Sequence, residues 1–126
     1  MRYLLDSTLL IDHVRGLPEA VDTVRQMFSE PNDLYICDVV VTEVLSRGTD
    51  DEIDVMRGLI DALEYVATDP AAARWAGESR RLAGRTSPRT VSDALIAGVA
   101  FGNDATVVTR NPRDFVRQGV RVLAYG

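Results

Sequence analysis

The stretch Thr90-Val91-Ser92-Asp93-Ala94-Leu95-Ile96-Ala97-Gly98-Val99-Ala100-Phe101, followed shortly by Thr106-Val107-Val108-Thr109, decides the fold class. Residues 91–101 are apolar nearly all the way round a helix. Such a helix needs packing partners on every side, which predicts a central, buried element. Residues 106–109 are wholly β-branched and predict a strand. A buried helix that feeds a short apolar strand belongs to a sheet with helices on its faces.

Working outward, the same alternation recurs. Tyr3-Leu4-Leu5 reads as a strand, and residues 7–15 as a helix closed by Gly16. Pro18 opens a second helix with Val21, Val24 and Phe28 on one face. Pro31-Asn32-Asp33 is a turn, and Leu34-Tyr35-Ile36-Cys37 a strand. Asp38 is placed to cap a helix that runs to about Arg47 and stops at Gly48. Asp50 is placed to cap another, striped by Ile53, Met56, Ile60 and Leu63. Tyr65-Val66-Ala67 reads as a strand. Asp69-Pro70 starts a helix that turns Ala72, Trp75, Ala76, Leu82 and Ala83 inward. Ser87-Pro88 or Thr90 opens the buried helix, Asn111-Pro112 is a turn, and residues 120–123 form a last strand. The expected fold class is α/β: three α/β/α layers, right-handed crossovers, and a central parallel sheet of about four to five short strands flanked by helices.

Composition bounds the function. At 126 residues, 46% hydrophobic and 26% charged, the chain reads as one globular domain over residues 1–126. It is not a disordered tail, a fibre or a disulfide miniprotein. Cys37 is the single cysteine and cannot close an internal disulfide, so a reducing, cytoplasmic setting is expected. The longest apolar run, residues 94–101, falls far short of the roughly 18–20 residues that span a bilayer. Asp6 and Asp12 interrupt the N-terminal apolar stretch, so no signal peptide is expected. Charge is asymmetric. Residues 1–70 carry fifteen acids against five Arg, net −10, and residues 71–126 carry four acids against nine Arg, net +5. All 14 basic residues are Arg, whose planar fork fits phosphate oxygens.

Four acids fall where strands end. Asp6 follows the first strand. Glu43 lies about a turn into the helix after the second, Asp93 opens the buried helix, and Asp114 follows the turn after residues 106–109. Open parallel sheets bind ligands beyond their carboxyl ends. Each acid also has a structural reading. Asp6 could cap its helix, Asp93 could complete a capping box led by Thr90, and Asp114 could do the same after Asn111. Glu43 is hardest to explain that way, because a lone carboxylate among apolar residues is expensive to bury. Two carboxylates 4 Å apart repel by about 4 kcal/mol at an effective dielectric near 20. A cluster therefore needs protons, Arg groups or a divalent cation, and oxygen-only ligands favour Mg²⁺ or Mn²⁺. With one Cys and one His, no other metal site competes. His13 reads as a surface or partner-facing residue, and the remaining acids as surface or turn residues.

The order Asp6-Ser7, Thr42-Glu43, Ser92-Asp93-Ala94-Leu95-Ile96-Ala97 and Val108-Thr109-Arg110-Asn111-Pro112-Arg113-Asp114-Phe115 resembles a PIN domain. It most resembles the VapC-type toxin ribonucleases of toxin–antitoxin modules, along the whole chain. The resemblance implies that Asp6, Glu43, Asp93 and Asp114 are the catalytic, metal-binding quartet, with Ser7, Thr109 and Asn111 as neighbouring polar residues. It implies Mg²⁺- (or Mn²⁺-) dependent endonucleolytic cleavage of RNA by metal-activated water, a homodimer, and a cognate VapB-type antitoxin. Arg85, Arg110 and Arg113, with Arg81 and Arg89, are candidate contacts to RNA phosphates. Trp75 and Tyr35 read as core or dimer contacts. Two departures stand out: Ser7 replaces the commoner Thr, and Gly98 replaces the usual Ala, which would loosen the helix by roughly 0.5–1 kcal/mol. The alternatives are a PIN nuclease of RNA maturation or a non-catalytic RNA- or protein-binding PIN module. The absence of any GxxxxGK[ST] or GxGxxG loop argues against a nucleotide cofactor.

Overall fold

Short runs of β-branched, aromatic and leucine residues alternate with longer amphipathic segments, and the computed structural model arranges them as a layered α/β fold. It describes residues 1–84 and 90–126. In chain order the elements are β1 (Arg2–Leu5), α1 (Ser7–Val14), α2 (Pro18–Ser29), β2 (Asp33–Cys37), α3 (Asp38–Leu45) and α4 (Asp50–Asp61). They continue with β3 (Glu64–Val66), α5 (Pro70–Leu82), α6 (Val91–Gly102), β4 (Thr106–Thr109), α7 (Pro112–Val116) and β5 (Val122–Ala124). The five strands form one sheet in the order β3-β2-β1-β4-β5, parallel throughout. Right-handed crossovers put the helices that follow β1 and β2 on one face and those that follow β3 and β4 on the other. The expected layers and strand number are therefore observed.

The core lies between these layers. Leu4, Leu5, Ile36, Val107 and Val108 of the central strands are buried against Leu9, Leu10, Val40, Val44, Ile96 and Val99 of the helices. In α6, six of twelve residues are buried, from Ala94 to Ala100, while Phe101 emerges at the far end to stack on Trp75 with ring centroids 5.4 Å apart. Tyr35 is a core residue, as expected.

Several local expectations are corrected. The buried face of α2 is Ala20, Val24 and Met27, while Phe28 faces solvent. Thr49, not Asp50, caps α4: its side chain accepts from the Glu52 N–H at 3.1 Å while Glu52 Oε1 accepts from the Thr49 N–H at 2.9 Å. Asp38 caps nothing. Its Oδ1 accepts from the Thr68 N–H and hydroxyl at 3.0 and 2.7 Å, tying the start of α3 to the loop after β3. Asp69 does cap α5, accepting from the Ala72 N–H at 2.7 Å. Leu82 and Ala83 point outward rather than inward. Ser87 and Pro88 lie outside the described residues.

Gly98 reverses its expected effect. A Cβ built on it would lie 2.6 Å from the Ala72 carbonyl oxygen, so its lack of a side chain lets α5 and α6 cross closely. The packing gain replaces the loosening expected from propensity alone.

Candidate active site

The chain leaves β1 toward β2 on one edge, and later returns from β3 to place β4 on the other edge. Strand order thus reverses at β1/β4, and such a switch point opens a crevice beyond the carboxyl ends. Asp6 stands there, the first residue past β1, with its N–H donating to the Val108 carbonyl at 3.0 Å. It occupies the N-cap position of α1 but makes no side-chain capping bond. Instead its Oδ2 accepts from the Thr109 hydroxyl at 2.7 Å and the Thr8 hydroxyl at 3.1 Å. Thr8 in turn accepts from the Arg110 N–H at 3.1 Å, and Thr109 from the Asn111 N–H at 3.0 Å. One carboxylate, only 4% exposed, thus ties the ends of two strands to the loop after β4. Burial pushes its pKa above the ordinary value, and the two hydroxyls offset this only in part.

Glu43, in the second turn of α3, is half-buried. Its Oε1 is shut from solvent and has no hydrogen-bond partner among the described residues. Burial raises its pKa and the charge of Asp6 raises it further, while the Ser7 hydroxyl and the Arg47 charge pull the other way. The charge of Asp6 therefore acts on Glu43, opposed by Arg47. The all-oxygen donor set of Asp6 and Glu43 and the orphaned Glu43 oxygen fit a hard divalent cation.

Asp93 is half-buried in the first turn of α6, and Thr90 at the N-cap makes no side-chain capping bond. Asp114 is half-buried in α7, where Asn111 likewise makes none. Neither capping expectation is met. Among the described residues, no three His, Cys, Asp or Glu side chains stand close enough together to hold a metal ion. Among the described residues, the charge of Asp6 acts on Glu43.

The sequence does not single out Thr8, Asp12 or Tyr125. Thr8 shares the Asp6 carboxylate with Thr109. Asp12, expected on the surface, is only 7% exposed. Both its oxygens take Arg110 Nη1, at 3.0 and 2.9 Å, and its Oδ2 also accepts from the buried Tyr125 hydroxyl at 2.8 Å. The signal was available: an acid flanked by Leu9, Leu10, Ile11 and Val14 invites the question raised by Glu43. Arg110, a candidate RNA contact, is engaged with Asp12, and Arg113 is exposed on α7. Arg81 is exposed at the end of α5, and Arg85 and Arg89 lie outside the described residues. A groove of about 280 Å³ runs beside Ser7 and Thr8, past Asp12 to Arg15, Arg47 and Arg110. His13 is half-buried rather than exposed, its Nδ1 lacks a partner, and burial and Arg25 lower its pKa.

Known proteins resemble this chain in sequence and fold. Ribonuclease VapC19 of Mycobacterium tuberculosis is 28% identical over 114 residues, covering 89% of this chain and 90% of that protein. The tRNA(fMet)-specific endonuclease VapC of Salmonella typhimurium is 28% identical over 130 aligned positions, covering 97% of this chain and 96% of its own. Among solved structures, DNA-bound VapBC from Salmonella typhimurium superposes with a TM-score of 0.79 at 25% identity, covering 98% of each chain. FitAcB from Neisseria gonorrhoeae, at 20% identity and a TM-score of 0.75 over 96% of each chain, shares the fold. Among the described residues no helix is long and apolar enough to cross a membrane. With the sequence model of the PIN domain matching residues 3–120, the chain belongs to the PIN domain family.

Proposed function

We propose that the chain is a Mg²⁺- or Mn²⁺-dependent endoribonuclease that acts as the toxin of a VapBC-type pair. PIN-domain ribonucleases depend on metal ions in general. The observation that carries the reading is the Asp6–Glu43 pair: two carboxylates at the switch point, one with a buried oxygen that has no hydrogen-bond partner among the described residues. Asp6 and Glu43 would hold the cation, with Asp93 and Asp114 drawn in as its further acids. The bound cation would activate water and shield charge developing on the phosphoryl oxygens. Asp6 Oδ2 is held by the Thr109 and Thr8 hydroxyls, which orient the carboxylate at the end of β1. Ser7 steadies Glu43. Asn111, whose N–H donates to the Thr109 hydroxyl, would serve as a polar neighbour of the site. Exposed Arg113 offers charge to RNA phosphates.

Similar structures solved as VapBC support a VapB-type antitoxin partner, and a homodimer is the assembly that the family resemblance implies. An acidic crevice would accept a basic antitoxin side chain. The test is cleavage of RNA by the purified chain with Mg²⁺ or Mn²⁺, its loss in excess EDTA, and its loss in Glu43→Gln. Undiminished cleavage in chelator rejects the metal mechanism. Expression alone should arrest bacterial growth, and co-expression of the neighbouring small gene should relieve it. Harmless expression of an RNA-cleaving chain would favour a maturation nuclease instead.

A further inference from the structure

Arg110 presents a paradox of charge. Its neighbour Thr109 donates to Asp6, and its own N–H donates to Thr8, the other hydroxyl on Asp6. A half-exposed guanidinium therefore starts from the loop that is bonded to the Asp6 carboxylate, whose charge also acts on Glu43. Yet its Nη1 bonds both oxygens of a third acid, Asp12, at 3.0 and 2.9 Å. Asp12 lies two turns along α1 from Asp6, and its carboxylate is buried at 10% exposure against 54% for the Arg110 side chain. The Tyr125 hydroxyl fixes Asp12 from the other side at 2.8 Å. The anchor is thus buried and bonded from two sides, while the guanidinium it holds is more than half exposed.

We propose that Asp12 is a positioning residue that restrains Arg110 away from Asp6 and Glu43, keeping that pair open to a divalent cation. Without Asp12, the released guanidinium would stand beside the Asp6 carboxylate, to which its own N–H is already linked through Thr8 and its neighbour Thr109 bonds directly. Arg110 would then compete with the metal as an internal counter-ion. The restraint also leaves Arg110 at the edge of the groove beside Ser7 and Thr8. This inference rests on the reading that Asp6 and Glu43 bind a divalent cation.

Mn²⁺ binding to chelator-stripped protein, followed by electron paramagnetic resonance of the free ion and by thermal melting, tests it without any substrate. Parent, Asp12→Asn, Arg110→Gln and the double variant are compared. Asp12→Asn should bind Mn²⁺ about 10-fold or more weakly, the usual scale for losing a residue that orients a metal site. The double variant should recover to within about 2-fold of the parent, because the competing guanidinium is gone. A role limited to pinning the C-terminus on α1 would leave the double variant as weak as Asp12→Asn, and that result overturns the proposal. Should Asp12→Asn fail to fold, Arg110→Gln alone decides: binding as tight as the parent or tighter supports the proposal, and weaker binding rejects it. If the parent takes up no Mn²⁺, the metal reading fails and the proposal with it. If the parent binds and Asp12→Asn binds equally well, only the role of Asp12 is refuted.

Discussion

The Thr109 hydroxyl donates to Oδ2 of Asp6 at 2.7 Å, joining the ends of β4 and β1 across most of the chain. Thr109 is fully buried, so this bond cannot be replaced by water. Thr109→Val should destabilise the protein by about 1.5–3 kcal/mol, the range for losing a hydrogen bond to a charged group. It should also push the Asp6 pKa further up, since this bond lowers it. The acidic limb of the pH–activity profile is then expected to move to higher pH. A limb that stays in place would show that Asp6 does not control it.

Glu43→Gln should abolish cleavage while leaving the metal-free protein at least as stable at neutral pH. The sign follows from the raised pKa of Glu43. In the window between the unfolded value, about 4.3, and the raised folded value, the folded state holds more protons than the unfolded state. Parent stability therefore falls as pH rises through that window, and the Gln variant should lose part of that fall. Urea melts in EDTA from pH 4 upward measure the difference. Metal uptake requires the ionised form, so activity should rise with pH over the same window. Identical pH–stability curves for the two proteins would contradict the assigned field between Asp6 and Glu43.

Asp93→Asn should lose both cleavage and the melting shift produced by Mg²⁺ while remaining folded. At 100 times its dissociation constant, a metal that binds only the folded state adds about 2.7 kcal/mol, or roughly 5–15 °C for a domain of this size. If Asp93 only supported the start of α6, apo stability would drop by about 0.5–2 kcal/mol and the Mg²⁺ shift would survive. Melts with EDTA and with Mg²⁺ separate the two outcomes.

Gly98→Ala should destabilise, although Ala is the better helix former. The added Cβ would press on the Ala72 backbone carbonyl, which cannot swing aside as a side-chain tip can. A cost of about 1–3 kcal/mol is expected for overpacking this crossing. A rise in melting temperature would show that α5 yields at no cost.

Thr49→Ala should cost about 0.5–2 kcal/mol by breaking the capping box of α4. Asp50→Ala, one residue on, should cost less, because Asp50 is not the cap. Denaturant midpoints of the two variants give the order, and equal losses would reject it.

Residue order alone determined the alternation of strands and helices, the parallel sheet and the four acids at strand ends. Local periodicity and turn chemistry are short-range, and each element here is short enough to be read from its own residues. The Thr109–Arg110–Asn111 segment and the Ser92–Asp93 segment carry their spacing in the chain itself. Tertiary structure alone decided who compensates whom. Nothing local in Asp12 reveals that Arg110 and Tyr125, from the other end of the chain, converge on it. Nothing local in Gly98 reveals the Ala72 carbonyl that excludes a methyl group. The same holds for Glu43, whose orphaned oxygen gains meaning only beside Asp6. Electrostatic and packing energies depend on distances between elements, and those distances are set by the β1/β4 junction rather than by any one segment.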